Sequence, residues 1–204
     1  DNMLNLEFLY EVGKLTGNQE MMDAAVSHAD RTLANHFRPD NSCVHVVEYD
    51  SITGEVISRE THQGYNHESS WARGQAWALY GYTLMYRETQ DIKYLKHAIK
   101  VADFILNHPN LPKDKVPYWD FNAPNIPDEP RDASAAAVIA SALIELNSYQ
   151  KSQPHYFKAA EQILKSLSSD KYLAKKGENG LFILKHSTGN WPKKSEIDTP
   201  ISYA

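Results

Sequence analysis

Apolar residues recur along this chain at the three- and four-residue spacing that is typical of amphipathic α-helices. The first such run includes Met3, Leu6, Leu9 and Val12, each of which follows the previous one by three residues. Five more runs follow, and together they predict helices over 3–16, 19–37, 70–89, 91–108, 132–151 and 155–169. Short breaks separate the two members of each pair, around Gly17, at 89–91 and at Ser152-Gln153-Pro154. The pattern therefore predicts three helical hairpins.

Two longer segments lie between the hairpins. Residues 44–50 and 55–58 flank Thr53-Gly54, and their β-branched residues predict a β-hairpin. The segment 109–131 contains six prolines, so it is predicted to be a loop.

Composition along the helices separates buried helices from surface helices. Residues 134–143 are small and apolar on nearly every face, which is typical of a helix buried on most sides. The helix over 91–108 instead carries Lys93, Lys96 and Lys100 on one side, as an outer helix would. Similar segments recur at uneven spacing in the second helix of each pair, which argues against a short solenoid repeat. The prediction is an all-α fold, an α/α toroid with inner and outer helices.

Composition and charge exclude several classes of protein. The chain has 204 residues, of which 42% are hydrophobic and 23% charged, so wholesale disorder is excluded. A net charge of −5 argues against a nucleic-acid partner. No apolar run approaches the roughly 18 residues of a membrane span, so no membrane partner is expected. Cys43 is the single cysteine, which excludes an intrachain disulfide.

Both ends of the sequence run directly into patterned segments. The chain starts at Asp1 without a methionine, and an apolar helix follows at once. It stops at Ala204 without a capping signal. We therefore expect residues 1–204 to be one incomplete domain, from which N-terminal helices and the C-terminal end are missing.

The segment 61–82 carries the most distinctive chemistry. Ser69 or Ser70 is predicted to cap the helix that follows, with Trp71 in its first turn. Arg73 near a helix N-terminus opposes the helix dipole, so its position needs another reason, such as an anionic partner. Gly74 within a helix suggests a close approach by another group. Tryptophan and arginine suit sugar stacking and carboxylate binding, but two core tryptophans and a structural ion pair explain the pattern equally well.

Two aspartates precede helices, and nine histidines raise the question of a metal. Asp1 and Asp132 each stand where an N-cap is expected, and capping is the favoured role on local evidence. No pair of histidines has HExxH spacing or a neighbouring carboxylate motif. No metal site is therefore expected.

These motifs together resemble a known family of enzymes. Trp71-Ala72-Arg73-Gly74-Gln75-Ala76-Trp77, with Gln63-Gly64 before it and 132–137 after it, resembles the unsaturated glucuronyl hydrolases of glycoside hydrolase family 88. Residues 1–6 are similar to the catalytic segment of that family. The sister family that acts on unsaturated rhamnogalacturonan tends to have Asn-Gly where this chain has Gln75-Ala76.

The resemblance implies a fold and a set of site residues. It implies an (α/α)6 barrel of about twelve helices, of which this chain supplies roughly the C-terminal half to two-thirds, while a second active-site aspartate precedes Asp1. Asp1 matches the general acid/base, and His62 matches a position that is associated with sulfated substrates in some relatives. The substrate-binding residues that it implies are His45, His62, Gln63, Trp71, Arg73, Trp77 and, more weakly, Tyr203.

The resemblance also implies a reaction. Such enzymes hydrate the C4=C5 vinyl ether of an unsaturated uronic acid at the end of an oligosaccharide, using acid/base catalysis and no cofactor. The expected setting is bacterial glycosaminoglycan breakdown, in the periplasm or the cytoplasm. Two alternatives stay open, namely an unsaturated rhamnogalacturonyl hydrolase and a non-catalytic carbohydrate-binding module. The sequence leaves monomer and homodimer open.

Overall fold

A computed structural model describes residues 1–151 and 154–203. The α-helices in these residues are α1 (Asn2–Thr16), α2 (Gln19–Asn35), α3 (Ala72–Thr89), α4 (Ile92–Asn107), α5 (Ala133–Tyr149) and α6 (His155–Leu167), and a short 3₁₀ helix covers Asn179–Leu181. All six predicted helices are confirmed, with ends that differ by one or two residues. The predicted break at Ser152 and Gln153 lies outside the described residues.

The hairpin turns follow from local chemistry. Gly17 ends α1 with φ 69°, a left-handed conformation that glycine adopts without a steric penalty. The Asn18 side chain then accepts a hydrogen bond from the backbone N–H of Met21 at 3.3 Å and caps α2. Asp91 caps α4 in the same way through the N–H of Lys93 at 2.9 Å. Each turn therefore reverses the chain and starts the next helix within a few residues.

The six helices form two layers. The inner helices α1, α3 and α5 lie side by side, and α2, α4 and α6 each pack behind the inner helix that precedes them. Gly81 on α3 makes the close packing with α1 possible, since a Cβ there would lie 2.4 Å from the Cβ of Met3. The predictions of a buried α5 and an outer α4 are both confirmed. The core occupies the space between the two layers.

The connections carry the remaining structure. The predicted β-hairpin is confirmed as β1 (Val46–Tyr49) paired antiparallel with β2 (Val56–Glu60). Residues 109–131 form a loop as predicted, with isolated bridges that join Trp71 to Asp120 and Tyr118 to Arg131. None of the helices in the described residues combines the length and the apolar character needed to cross a bilayer.

The N-termini of α1, α3 and α5 face the same end of the layers, because alternate helices run in the same direction. We call this end the mouth. Asp1, Trp71 and Asp132 occupy the three N-cap positions there. The predicted cap of α3 by Ser69 or Ser70 is wrong. Trp71 holds the N-cap position without a side-chain cap, because the Ser69 hydroxyl donates to Asp120 Oδ2 at 2.7 Å instead.

Candidate active site

One cleft at the mouth collects most of the residues that the sequence singled out. Its volume is about 220 Å³. The lining residues are Asp1, Leu4, Asn5, Gln63, Trp71, Arg73, Trp77 and Tyr203. A smaller cavity adjoins it, and His45 lies there together with Asp1 and Trp77, which the two spaces share. Segments separated by up to two hundred residues in sequence therefore meet at one place.

Asp1 stands at the N-cap of α1, but its carboxylate makes no capping hydrogen bond. The residue is exposed, and it lines both the cleft and the adjoining cavity. The position predicted for a cap is thus correct, whereas the predicted capping bond is absent among the described residues. A carboxylate without a structural partner beside a cleft is available for proton transfer to a bound molecule.

The two tryptophans are both buried and part of the cleft wall. Trp71 is 2% exposed, and its ring lies 4.3 Å from that of His45 at an interplanar angle of 33°. Gly74 permits this placement, since a Cβ there would lie 3.1 Å from the Trp71 ring, so the predicted close approach is confirmed. Trp77 lies 5.4 Å from the half-exposed ring of Tyr203. The aromatic wall therefore consists of core side chains whose edges reach the cleft.

Arg73 has an anionic partner, which is the reason that its position suggested. Its Nη1 donates to Asp132 Oδ2 at 2.9 Å, and both side chains are buried. The guanidinium also donates to the carbonyl oxygens of Thr188 at 2.9 Å and Gly189 at 3.1 Å. The structural ion pair considered above is confirmed, and contact of Arg73 with a uronate stays a prediction.

Asp132 serves two purposes. One oxygen accepts from the backbone N–H of Ala135 at 3.2 Å, so the predicted cap of α5 is confirmed. The other oxygen holds Arg73. No local sequence signal predicts that Asp132 pairs with Arg73, because fifty-nine residues separate the partners.

The histidines and Gln63 differ in how closely they approach the cleft. Gln63 lines it and donates through Nε2 to the Gly189 carbonyl at 2.7 Å. Burial lowers the pKa of His45 to about 4, so this ring is neutral near pH 7. His62 is exposed on the loop, with its ring 6.2 Å from that of His45. His62 thus lies next to the site and outside the cleft lining.

Sequence reasoning missed Asp120, which organises the loop in front of α3. This aspartate is fully buried and accepts from the N–H of Tyr65 at 3.0 Å and from the hydroxyl of Ser69. Burial raises the pKa of its carboxyl. An acidic residue between Trp119 and Phe121 in a proline-rich loop was the available signal.

No group of three or more His, Cys, Asp or Glu side chains within residues 1–151 and 154–203 is arranged to hold a metal ion. The polar side chains that line the cleft are one carboxylate, two amides, one guanidinium and one phenol, and two tryptophan rings lie beside them. This set suits a sugar and an acid/base step better than a cation.

A model of the family described as Glycosyl Hydrolase Family 88 matches residues 1–196. The chain belongs to this family. It is 55% identical, over its whole length, to the unsaturated glucuronyl hydrolase of Formosa agariphila, and the match covers 50% of that relative. It is 33% identical to the unsaturated chondroitin disaccharide hydrolase of Streptococcus agalactiae, over 97% of this chain and 50% of that one. The family 88 chain thus spans about half the length of these curated relatives.

A solved structure shows the same arrangement of helices. The crystal structure of an unsaturated glucuronyl hydrolase specific for heparin matches with a TM-score of 0.97 at 57% sequence identity. The match covers 98% of this chain and 54% of that one. The fold class predicted for this family 88 chain, an α/α barrel, is confirmed, and the described residues supply three inner and three outer helices.

Proposed function

We propose that the protein carrying this chain hydrolyses unsaturated glucuronyl oligosaccharides, with Asp1 as the general acid/base. The observation that carries the proposal is the Asp1 carboxylate, which makes no hydrogen bond to any group within residues 1–151 and 154–203 and shares a cleft with Trp71 and Trp77. The similarity to unsaturated glucuronyl hydrolases supports the substrate class.

The reaction requires one group that gives and then takes a proton. Asp1 in its acid form donates a proton to C4 of the C4=C5 vinyl ether, and positive charge develops at C5 and the ring oxygen. Water adds to C5 and loses its proton to the Asp1 carboxylate. The resulting hemiketal opens and releases the next sugar. Atoms and charge balance without a cofactor.

We further propose that residues 1–204 form the C-terminal half to two-thirds of one barrel domain. The relatives are about twice as long as this chain, which supports that proposal. A second carboxylate from the remaining helices would raise the pKa of Asp1 by like-charge repulsion and keep it protonated for the first step.

The proposed substrates are products of a polysaccharide lyase acting on glycosaminoglycans. The names of two relatives mention chondroitin disaccharides and heparin, and this similarity supports substrates that derive from glycosaminoglycans. His62 is exposed beside the site, where a sulfate group of a longer substrate could reach it. A bacterial periplasm or cytoplasm suits this activity.

The test follows the ultraviolet absorbance of the conjugated C4=C5 acid in the full-length protein. Unsaturated heparin and chondroitin disaccharides serve as substrates, and unsaturated rhamnogalacturonan fragments serve as the alternative. We expect loss of absorbance in the parent protein and a loss of roughly 10²–10⁴-fold in kcat for Asp1→Asn. Asp23→Asn, which makes the same change at an exposed position on α2, is the matched control and should keep full activity.

The outcomes separate the proposal from its alternatives. Consumption of rhamnogalacturonan fragments alone would assign the protein to the sister activity. Stable absorbance with every substrate, together with binding of saturated oligosaccharide, would indicate a binding module. Equal rates in the parent and Asp1→Asn would remove Asp1 from the mechanism.

A further inference from the structure

The ring of His45 is held from one side by three donors on the loop that follows β2. Its Nδ1 lies 3.1 Å from the Thr61 hydroxyl oxygen, 3.2 Å from the backbone nitrogen of His62 and 3.4 Å from that of Gln63. Both backbone nitrogens carry hydrogens and can only donate. Nδ1 is therefore an acceptor, and the proton of the neutral ring resides on Nε2.

Thr61 completes this arrangement through its hydroxyl group. The Thr61 oxygen accepts a hydrogen bond from the backbone N–H of Gly64 at 2.9 Å, so its own proton is directed to another acceptor. That acceptor is His45 Nδ1, because Nδ1 carries no hydrogen. The Trp71 ring, at 4.3 Å, fixes the plane of the imidazole. Trp71 thus sets the plane of the ring, and the loop donors set its tautomer.

We propose that Thr61 is a positioning residue that, together with the backbone N–H groups of His62 and Gln63, holds His45 as a neutral Nε2–H donor in the cavity shared with Asp1. Within the described residues, Nε2 makes no hydrogen bond to the protein, so its N–H is available to an oxygen of a bound sugar. The catalytic part of this inference rests on the proposed hydration reaction.

A neutral donor suits that reaction better than a charged one. Positive charge develops at C5 and the ring oxygen in the transition state, and an imidazolium nearby would repel it. The groups that surround the His45 ring are His62 on the loop, Arg73 on α3, His36 after α2 and Asp1 before α1. Protonation of Nδ1 would also place an N–H group opposite three other hydrogen-bond donors. His45 therefore binds and orients without exchanging a proton.

The experiment combines nitrogen-15 NMR of histidine-labelled full-length protein with kinetics. In the parent protein, we expect His45 Nδ1 to have the shift of an unprotonated nitrogen and Nε2 that of a protonated one. Thr61→Ser, which retains the hydroxyl, should preserve both shifts. Thr61→Val should move the Nδ1 shift while the two backbone donors keep the tautomer, and it should lower kcat by about tenfold with KM changed less, since one hydrogen bond to Nδ1 is removed.

Two further variants separate positioning from folding of the loop. Asn66→Ala removes a hydrogen bond to the N–H of Glu68 in the same loop and leaves the Nδ1 donors in place. It should keep the tautomer and the rate. His45→Gln can present an N–H near the Nε2 position, so it should retain more activity than His45→Ala.

The NMR result does not depend on turnover, so it separates this inference from the proposed reaction. An Nδ1–H tautomer in the parent protein, or unchanged shifts in Thr61→Val, would overturn the role of Thr61. Correct shifts in a protein that consumes no unsaturated substrate would contradict the hydration reaction and leave the tautomer assignment standing.

Discussion

The guanidinium of Arg73 bonds groups from several elements at the cleft. A cation in the first turns of a helix pointed to an anion, and the anion is the buried carboxylate of Asp132 at 2.9 Å. The same guanidinium holds the carbonyl groups of Thr188 and Gly189. Gly189 in turn accepts from Gln63, so Arg73 connects α3, α5 and two loops at the cleft.

Removal of Arg73 tests this connection. Arg73→Met leaves the Asp132 carboxylate buried without its cation, and we expect it to lower the free energy of unfolding by about 3–5 kcal/mol. Lys165→Met is the matched control, because Lys165 pairs with Glu161 on an exposed face of α6. The control should change the free energy by less than about 1 kcal/mol. Urea denaturation measures the free energy of unfolding of both variants. Equally small changes in the two would contradict a structural role for the Arg73–Asp132 pair.

Among the elements, the inner helices depend on small residues for their contacts. The sequence predicted a buried α5 from its alanines, but it did not show that Gly81 on α3 faces Met3 on α1. Polar contacts add to the packing farther along these helices. The Arg87 guanidinium on α3 donates hydrogen bonds to the carboxylate of Glu7 on α1 and, at 3.0 Å, to that of Glu145 on α5. Three helices are thereby held in one register.

A methyl group at Gly81 tests how close the inner helices are. Gly81→Ala gains helix propensity, but its Cβ would meet the Met3 side chain and backbone, so α1 and α3 must separate. We expect a net loss of about 1–3 kcal/mol in the free energy of unfolding. Ser27→Ala, an alanine substitution at an exposed position of α2, should stay within about 0.5 kcal/mol. A Gly81→Ala variant as stable as the parent would show that the contact is not tight.

At the scale of the whole molecule, buried histidines couple stability to pH. Burial lowers the pKa of His36, His45 and His97 to about 4. Between about pH 6.5 and pH 4, these residues are protonated in the unfolded chain and neutral in the folded one. Because the unfolded chain binds these protons first, the free energy of unfolding is highest above about pH 6.5 and decreases as the pH falls toward 4.

His97 offers the clearest test of this coupling. Its ring lies 4.0 Å from that of Phe37 and 4.6 Å from that of Tyr82, inside the core. His97→Phe keeps an aromatic ring there and removes one titrating group. The free energy of unfolding should therefore decrease less steeply with falling pH, by up to about 1.4 kcal/mol per pH unit. Urea denaturation at several pH values measures the slope. His155→Phe, at an exposed position, is the control, and identical slopes in parent and His97→Phe would contradict the assignment.

The sequence by itself determined the helices, their pairing and their layers. Apolar spacing, caps such as Asn18 and turns such as Gly17 act over a few residues, so their signals are local and readable. The motif around Trp71 and Trp77 identified the family, because several unusual residues occur together at fixed spacing.

Only the tertiary structure decided which side chains meet. The cleft unites Asp1, Gln63 and Tyr203, and Arg73 is paired with Asp132 across fifty-nine residues. The tertiary structure also decided that the Ser69 hydroxyl donates a hydrogen bond to Asp120 instead of capping α3. Such contacts depend on how helices and loops pack in three dimensions. A single sequence contains no local signal for them, since each partner alone fits another role.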